Sequence, residues 1–167
     1  MSGGTPATLL LEREGVPHRV HVYEVHAYEL DAHAGSYGEA VAAALGVEPE
    51  RMLKTLLATV VFSEGAGRLV CGVVPVAGSL DLKALAGAVG GKRGAMAEPA
   101  VAERSTGYVV GGISPLGQRT RLQTVVDETA ELWDTVVVSA GRRGLSVELA
   151  PSDLVRLTGA VLADVSR

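Results

Sequence analysis

A glycine-rich segment and an isolated lysine are the residues of this chain best suited to chemistry. The segment follows a short apolar run at residues 108–110 and contains Gly111, Gly112, a Ser-Pro pair and Gly117. Glycines have no Cβ, so a ligand can approach the main chain closely and meet its free amides. Upstream, Lys54 interrupts an apolar strand pattern. A lysine beside free amides could bind a phosphate or an acyl oxygen.

The strand pattern around the lysine determines what it faces. Side chains alternate between the two faces of a strand, so Lys54 shares a face with Met52 and Leu56. Two interpretations stay open, namely an edge-strand lysine that points to solvent and a cation that lines a concave sheet. In the second, Gly111 and Gly112 would donate amides to the oxygen that the lysine binds.

Two tyrosines and a group of basic residues accompany these elements. Tyr23 and Tyr37 flank an irregular polar segment, and they could wall a pocket or simply be partly buried side chains. Residues 92–121 contain five basic side chains against two acidic ones, and residues 142–143 add an arginine pair. These charges could form a phosphate-facing patch near the glycines or a solvated loop surface.

Helix and strand signals alternate along the chain without a linker, which predicts one domain over residues 1–167. Thr5, Ser36 and Ser79 are the predicted N-caps of the first three helices. Helices are predicted at residues 5–14, 36–45 and 80–89, and two more begin at residues 98 and 151. A loop is predicted at residues 24–35. Strands are predicted at residues 18–23, 52–62, 68–76, near 95, and at 108–110, 123–126, 135–138, 145–149 and 160–163. Short strands joined by hairpins, with helices between them, favour an α+β fold with a mixed, mainly antiparallel sheet closing toward a barrel.

Composition narrows the class of protein. Of the residues, 47% are apolar and only 4% aromatic, which predicts a core of Val, Leu and Ala. No apolar run approaches the roughly 18 residues of a membrane span, and the N-terminus lacks a signal-peptide pattern. Cys71 is the single cysteine, so a cytoplasmic location and a buried, inert thiol are expected. The net charge of −4 argues against a free-standing, high-affinity binder of nucleic acid.

Several familiar sites are excluded by their spacing. Lys54-Thr55 would end a P-loop, but Leu53 stands where that motif has the glycine before its lysine. The glycine run is not a dinucleotide fingerprint, because Pro115 would break the following helix. The four histidines, His18, His21, His26 and His33, lack the spacing of a helical metal pair. No metal and no cofactor are therefore expected, and no serine lies in a nucleophile elbow.

Five motifs in order resemble the YbaK/EbsC family. The resemblance runs from Thr5 to about Asp164. Its motifs are Thr5-Pro6-Ala7, Lys54-Thr55-Leu56-Leu57, the run from Pro75 to Lys83, Arg104-Ser105-Thr106-Gly107-Tyr108 with the glycines and Ser114-Pro115 that follow, and Gly141-Arg142-Arg143-Gly144-Leu145. Bacterial members of this family include Cys-tRNA(Pro) deacylases, which are related to the editing domain of prolyl-tRNA synthetase.

The resemblance implies the fold of that editing domain and a trans-editing aminoacyl-tRNA deacylase. It implies catalytic roles for Lys54 and Gly111. The lysine would hold the 3′-terminal nucleotide of the tRNA and its aminoacyl ester. Substrate-binding roles fall on Tyr23, Tyr37, Thr55, Gly112, Ser114, Pro115 and Ser146. In cysteine-specific members the thiol of the substrate displaces the tRNA as a thiolactone, which needs no protein nucleophile. The implied partners are mischarged tRNA and prolyl-tRNA synthetase, and no membrane.

One departure from the family pattern leaves the substrate open. Ser146 stands where cysteine-specific members usually have aspartate, and a hydroxyl is a weaker acceptor than a carboxylate. Cysteine on tRNA(Pro) is the expected acyl group, with Ala-tRNA(Pro) or another mischarged tRNA as alternatives. A non-catalytic module that binds tRNA or a synthetase is the alternative of a different class. Whether the loop at residues 24–35 acts as a lid is also left open.

Overall fold

The computed structural model describes residues 4–24 and 37–167. This part of the chain contains eight strands: β1 (His18–Val22), β2 (Leu53–Val61), β3 (Gly67–Pro75), β4 (Arg93–Met96), β5 (Gln123–Asp127), β6 (Val136–Arg142), β7 (Leu145–Leu149) and β8 (Val161–Ala163). It also contains five α-helices and a 3₁₀ helix: α1 (Pro6–Arg13), α2 (Tyr37–Leu45), α3 (Leu82–Ala88), α4 (Pro99–Thr106), α5 (Pro151–Thr158) and the 3₁₀ helix Glu128–Leu132.

The strands form two sheets. The smaller is antiparallel with the order β1-β7-β6, and the larger is mixed with the order β4-β2-β3-β5-β8. Strands β3, β5 and β8 pair in parallel, whereas β4, β2 and β3 pair antiparallel. The α+β class and the mainly antiparallel pairing predicted from the sequence are confirmed. The sheets meet at the Met52–Val137 bridge but do not close into a barrel.

The main core fills the space between the two sheets. Val73 and Val126 of the larger sheet pack in one cluster with Val138 and Val147 of the smaller sheet. Helix α1 adds Leu11 to the same cluster. A second cluster packs α3 against the larger sheet. As the composition predicted, these clusters consist mostly of Val, Leu and Ala, and burying each such side chain contributes roughly 1–3 kcal/mol.

Local chemistry explains where the first and third helices begin. The Thr5 side chain accepts a hydrogen bond from the amide of Thr8 and so caps α1 as predicted. The predicted cap at Ser79 is wrong, because its amide donates instead to the carbonyl of Arg167 at 2.7 Å. Asp81 caps α3, accepting from the amide of Ala84 at 2.9 Å. Ser36 and all but the first residue of the predicted 24–35 loop lie outside the described residues.

The predicted strand at residues 108–110 is wrong. Helix α4 ends at Gly107, which adopts a φ of +81°, and the following residues form a loop. The Val110 amide donates to the carboxylate of Glu103 at 2.8 Å instead of to a neighbouring strand. The buried hydroxyl of Tyr108 donates to the carbonyl of Leu116 at 2.6 Å and ties the two ends of the loop together. We refer to residues 107–117 as the glycine loop.

The single cysteine matches the sequence analysis. Cys71 is fully buried, and burial raises the pKa of its thiol to about 12, so the side chain is inert as predicted. Within the described residues, no helix has the length and apolar character needed to cross a bilayer.

Candidate active site

A pocket of about 360 Å³ is lined by residues of both sheets. The larger sheet contributes the first half of β2, and the smaller sheet contributes Ser139 of β6 and Ser146 of β7. Helix α2, the start of α4 and the glycine loop complete the wall. No carboxylate is among the described residues that line it, and most of the wall is apolar.

The pairing of β2 explains why the pocket lies beside this strand. Strand β4 pairs only with residues 58–61, so it stops short of the first half of β2. Lys54 and Thr55 lie in that first half, opposite Val74 and Val73 of β3. The edge that β4 does not reach borders the pocket. A shortened neighbour thus exposes main chain and side chains that a complete sheet would cover.

Lys54 lies at the pocket and is half-buried. Burial lowers the pKa of its ammonium, and the negative charge of Glu39 opposes that shift. Within residues 4–24 and 37–167, no carboxylate forms an ion pair with Lys54. A partly desolvated ammonium that forms no ion pair within the described residues is well suited to bind an oxygen on which negative charge develops.

The Thr55 hydroxyl is the second polar group at this end of the pocket. Its oxygen is buried and has no hydrogen-bond partner among the described residues. A buried hydroxyl that lacks a partner costs about 1–3 kcal/mol of folding free energy. Because Thr55 also lines the pocket, a bound molecule could supply the missing hydrogen bond.

The hydroxyl groups of Tyr23 and Ser146 contact each other at another part of the pocket wall. The two hydroxyls lie 2.9 Å apart, and Ser146 is fully buried in β7. Burial raises the pKa of the Tyr23 phenol, so the pair is neutral at physiological pH. Tyr37 of α2 lines the same pocket. This part of the wall, where Tyr23, Tyr37 and Ser146 were predicted to bind the substrate, therefore presents hydroxyl groups and aromatic rings.

The glycine loop brings one of its predicted residues to the pocket. Gly111 lines the pocket and has a φ of +96°, which a residue with a side chain rarely adopts. Gly112 is buried behind it, and its amide donates to the carbonyl of Val109 at 2.9 Å. A Cβ on Gly112 would lie 2.6 Å from the Cα of Arg142, so the missing side chain lets two segments pack closely. The Gly112 amide, which was predicted to donate to the oxygen that the lysine binds, is thus already hydrogen-bonded within a turn.

Ser114 and Pro115 lie away from the pocket. The Ser114 hydroxyl accepts from the amide of Leu116 at 3.1 Å, and its carbonyl accepts from Gln118 at 3.0 Å. Pro115 borders a separate cavity of about 180 Å³ beside α1 and α5. The structure therefore gives both residues a part in shaping the glycine loop, while Lys54, Thr55, Tyr23, Tyr37, Gly111 and Ser146 come together at the pocket.

Two residues that were not among the predicted site residues belong to this region, although the sequence analysis had noted Arg143 as part of a basic pair. Ser139 lines the pocket and pairs with Ser146 across β6 and β7, next to a β-bulge between Ser139 and Arg142. Arg143 places its guanidinium 4.8 Å from the centroid of the Tyr37 ring. Cross-strand pairing could have suggested Ser139, since the predicted strands 135–138 and 145–149 form a hairpin. No sequence signal indicated the ring contact of Arg143.

The side chains of the site offer no set of metal ligands. Among the described residues, no group of three or more His, Cys, Asp or Glu side chains comes together anywhere. His18 contacts the carbonyl of Val16, and His21 contacts Glu148, both outside the pocket wall. His26 and His33 lie outside the described residues. The polar groups that the described residues bring to the pocket are therefore an ammonium, hydroxyls and main-chain amides.

Comparison with known proteins adds the family to this geometry. The aminoacyl-tRNA editing domain family matches residues 32–157. A protein of Enterococcus faecalis named as the Cys-tRNA(Pro)/Cys-tRNA(Cys) deacylase EbsC is 36% identical over 97% of this chain and 93% of its own length. The multifunctional Ser/Thr-tRNA deacylase ProXp-y of Escherichia coli is 30% identical over 95% of this chain and 89% of its own length.

A solved structure of a similar protein shares the fold of this chain. It is described as a trans-editing enzyme for prolyl-tRNA synthetase, and it superposes with a TM-score of 0.76 at 26% identity, covering 99% of both chains. The family resemblance and the enzyme class predicted from the sequence, an aminoacyl-tRNA deacylase, are confirmed by these relatives. This chain belongs to the family of aminoacyl-tRNA editing domains.

Proposed function

We propose that this protein is a trans-editing deacylase that removes a mischarged small amino acid, cysteine first, from tRNA(Pro). The observation that carries the proposal is the half-buried Lys54 beside the Thr55 hydroxyl, which has no partner among the described residues, in a largely apolar pocket. A wall of this kind suits a small side chain, and the name of the Enterococcus relative supports cysteine. A second sieve of this kind removes products that a synthetase cannot exclude by binding alone.

In this proposal, positioning and electrostatics carry the catalysis. Lys54 binds the ester carbonyl oxygen as negative charge develops there, and the amide of Gly111 is the second donor. With cysteine, the thiol of the substrate attacks the carbonyl carbon. The C–S bond forms, the ester C–O bond breaks, and the thiol proton passes to the departing ribose oxygen. The pocket holds the two groups in position for this internal attack, which replaces a protein nucleophile.

A hydroxyl-bearing amino acid is the second candidate substrate. The hydroxyls of Thr55, Tyr23 and Ser146 could exchange hydrogen bonds with a serine or threonine side chain. The Escherichia coli relative is named for Ser/Thr-tRNA, which supports this alternative. Alanine on tRNA(Pro) remains the third candidate, because it needs only the apolar part of the wall.

The test is deacylation of Cys-, Ala-, Ser-, Thr- and Pro-tRNA by the wild type, Lys54→Ala and Lys83→Ala. Lys83 is an exposed lysine of α3 and removes the same charge outside the pocket. We expect cysteinyl ester to be lost fastest, and we expect Lys54→Ala to lower kcat/KM at least about 100-fold. Lys83→Ala should match the wild type. Full activity in Lys54→Ala would contradict the proposed role, and inactivity of the wild type on all five esters would favour the binding-module alternative.

Prolyl-tRNA synthetase is the partner that we propose. The net charge of −4 gives this chain little general attraction to RNA, so a synthetase could supply most of the affinity for tRNA. We expect the protein to co-purify with prolyl-tRNA synthetase when tRNA(Pro) is present. Absence of the synthetase from such pull-downs, with and without tRNA, would contradict the partnership but not the deacylase activity.

A further inference from the structure

Arg143 contacts two residues that line the pocket. Its guanidinium carbon lies 4.8 Å from the centroid of the Tyr37 ring. A Cβ built on Gly111 would lie 2.5 Å from Nε of Arg143, so the arginine packs directly on the main chain of the glycine loop. The absence of a side chain at Gly111 is what makes room for this contact. The guanidinium therefore lies at the edge of the pocket, where α2 and the glycine loop meet.

The charge of Arg143 is available to a ligand. The side chain is exposed, and within the described residues no carboxylate forms an ion pair with it. Five other arginines form ion pairs within the described residues, as Arg68 does with Glu64 at 2.7 Å. A planar guanidinium with free N–H groups matches the oxygens of a phosphate, and stacking on a ring holds it ready to bind.

We propose that Arg143 binds a backbone phosphate next to the 3′-terminal nucleotide of the substrate RNA, while the aminoacyl ester lies beside Lys54. This assignment rests on the proposed function, because it names the part of the substrate that remains outside the pocket. The pocket wall itself holds Lys54 as its single described cation, and that lysine is assigned to the ester. An RNA end that enters the pocket must pass its edge, where Arg143 lies.

The arrangement also explains why Gly111 serves two purposes. Its φ of +96° fits the turn, and its missing Cβ lets Arg143 approach. The ester and the phosphate would thus be bound on two sides of one short segment of main chain. Binding at two points fixes the orientation of the ester relative to Lys54, which favours reaction over simple retention.

The first test measures RNA binding without catalysis. The ligand is an RNA minihelix with a single-stranded 3′ end that carries cysteine through a non-hydrolysable amide. Arg143→Gln, Arg143→Lys and Arg68→Gln are compared with the wild type over a range of salt. Arg68 is the matched control, because it is exposed and lies 3.9 Å from the Phe62 ring centroid at the far end of β2.

We expect Arg143→Gln to weaken binding about tenfold at low salt and to reduce the slope of log K against log salt by about 0.7–0.9. Arg143→Lys should keep most of the slope but bind less tightly, because an ammonium lacks the planar fork. Arg68→Gln should behave as the wild type. An unchanged slope in Arg143→Gln, or an equal loss in the Arg68 control, would overturn the assignment.

The second test separates a phosphate contact from a change in pocket shape. Deacylation of the aminoacyl minihelix is compared with that of 3′-cysteinyl-adenosine, which has no phosphate. Arg143→Gln should lower kcat/KM on the minihelix and leave the nucleoside ester unaffected. Equal losses on both esters would overturn the assignment. If the wild type cleaves neither ester the proposed function fails, whereas the binding experiment still decides the role of Arg143.

Discussion

Adjacent residues of β2 carry polar groups that the folded chain leaves incompletely compensated. Lys54 is partly desolvated without an ion pair from the described residues, and the Thr55 oxygen is buried without a partner there. Both conditions oppose folding, because water would solvate these groups in the unfolded chain. Local conflicts of this kind tend to occur at functional sites, where a ligand completes the interactions. The stability of the protein and its activity should therefore respond in opposite directions at Thr55.

Replacing Thr55 with valine tests that expectation. Thr55→Val keeps the branched shape but removes the hydroxyl that has no partner among the described residues. We expect the free energy of unfolding to rise by about 1 kcal/mol, because a buried unpaired oxygen is removed. We expect kcat/KM for deacylation to fall at least about tenfold, because the substrate loses a hydrogen bond. Urea unfolding and single-substrate kinetics measure the two effects.

Thr106→Val is the matched control for that substitution. The Thr106 hydroxyl is buried, donates to the carbonyl of Ala102 at 2.8 Å and accepts from the amide of Tyr108 at 3.2 Å. Its removal should lower the free energy of unfolding by about 1–3 kcal/mol. If Thr55→Val also destabilises the protein and leaves kcat/KM unchanged, the Thr55 hydroxyl has a structural partner and no role toward substrate.

The sequence predicted the pocket residues whose type and position were both unusual. A lysine within an apolar strand stood out at Lys54, and Tyr23 and Tyr37 flank a break in the pattern. The sequence could not show which residues of the glycine loop face the pocket. Composition does not reveal which main-chain amides are already hydrogen-bonded within a turn. The structure shows that Gly112 donates to Val109, which the sequence could not reveal.

At the level of elements, Glu148 of β7 joins segments that are distant in sequence. Its carboxylate accepts hydrogen bonds from His21 at 2.8 Å, from Arg51 at 3.2 Å and from the Thr135 hydroxyl. These contacts link β7 to β1, to the residues before β2 and to the residues before β6. Because Arg51 lies just before the start of β2, they help to hold the smaller sheet against that strand.

The hydrogen bonds lower the pKa of Glu148 to about 2, with that from Thr135 as the largest cause. Since the pKa is lower in the folded state than in the unfolded chain, the carboxylate stabilises the protein above its ordinary pKa near 4.5. That contribution, about 1–2 kcal/mol after allowance for partial exposure, should be lost as the pH falls from about 5 to 2. We expect Glu148→Gln to be destabilising at pH 7 and close to neutral near pH 2.

Urea unfolding of the wild type and Glu148→Gln between pH 2 and pH 7 measures this effect. Glu128→Gln removes an exposed carboxylate and serves as the control, with little change expected at any pH. A difference between wild type and Glu148→Gln that stays constant over the whole pH range would show that the network contributes through shape and not through charge.

The errors among the predicted elements have a common physical cause. The apolar run at residues 108–110 favours a strand by composition. In the structure, Glu103 takes the amide of Val110, and Tyr108 reaches the carbonyl of Leu116. Side-chain partners that compete for the main chain are invisible to a periodicity argument. A distant main-chain partner is equally invisible at Ser79, whose amide donates to the carbonyl of Arg167 at the other end of the sequence.

At the scale of the whole molecule, the sequence indicated the fold class but not the division into two sheets. Short strands at regular intervals predicted α+β packing, yet nothing in the pattern marked the point where pairing changes from one sheet to the other. That point depends on the long-range contacts of Met52 with Val137 and on the core between the sheets. The family comparison and the structure agree on this arrangement over nearly the whole chain.

The two-sheet construction has a consequence for how such an enzyme can change over evolutionary time. Lys54 and Thr55 belong to one sheet, whereas Ser139 and Ser146 belong to the other. Substitutions in the smaller sheet can alter which amino acid fits while the residues that we propose to hold the ester stay as they are. A few substitutions in the smaller sheet could therefore change the amino-acid selectivity, while the pocket residues of the larger sheet stay unchanged.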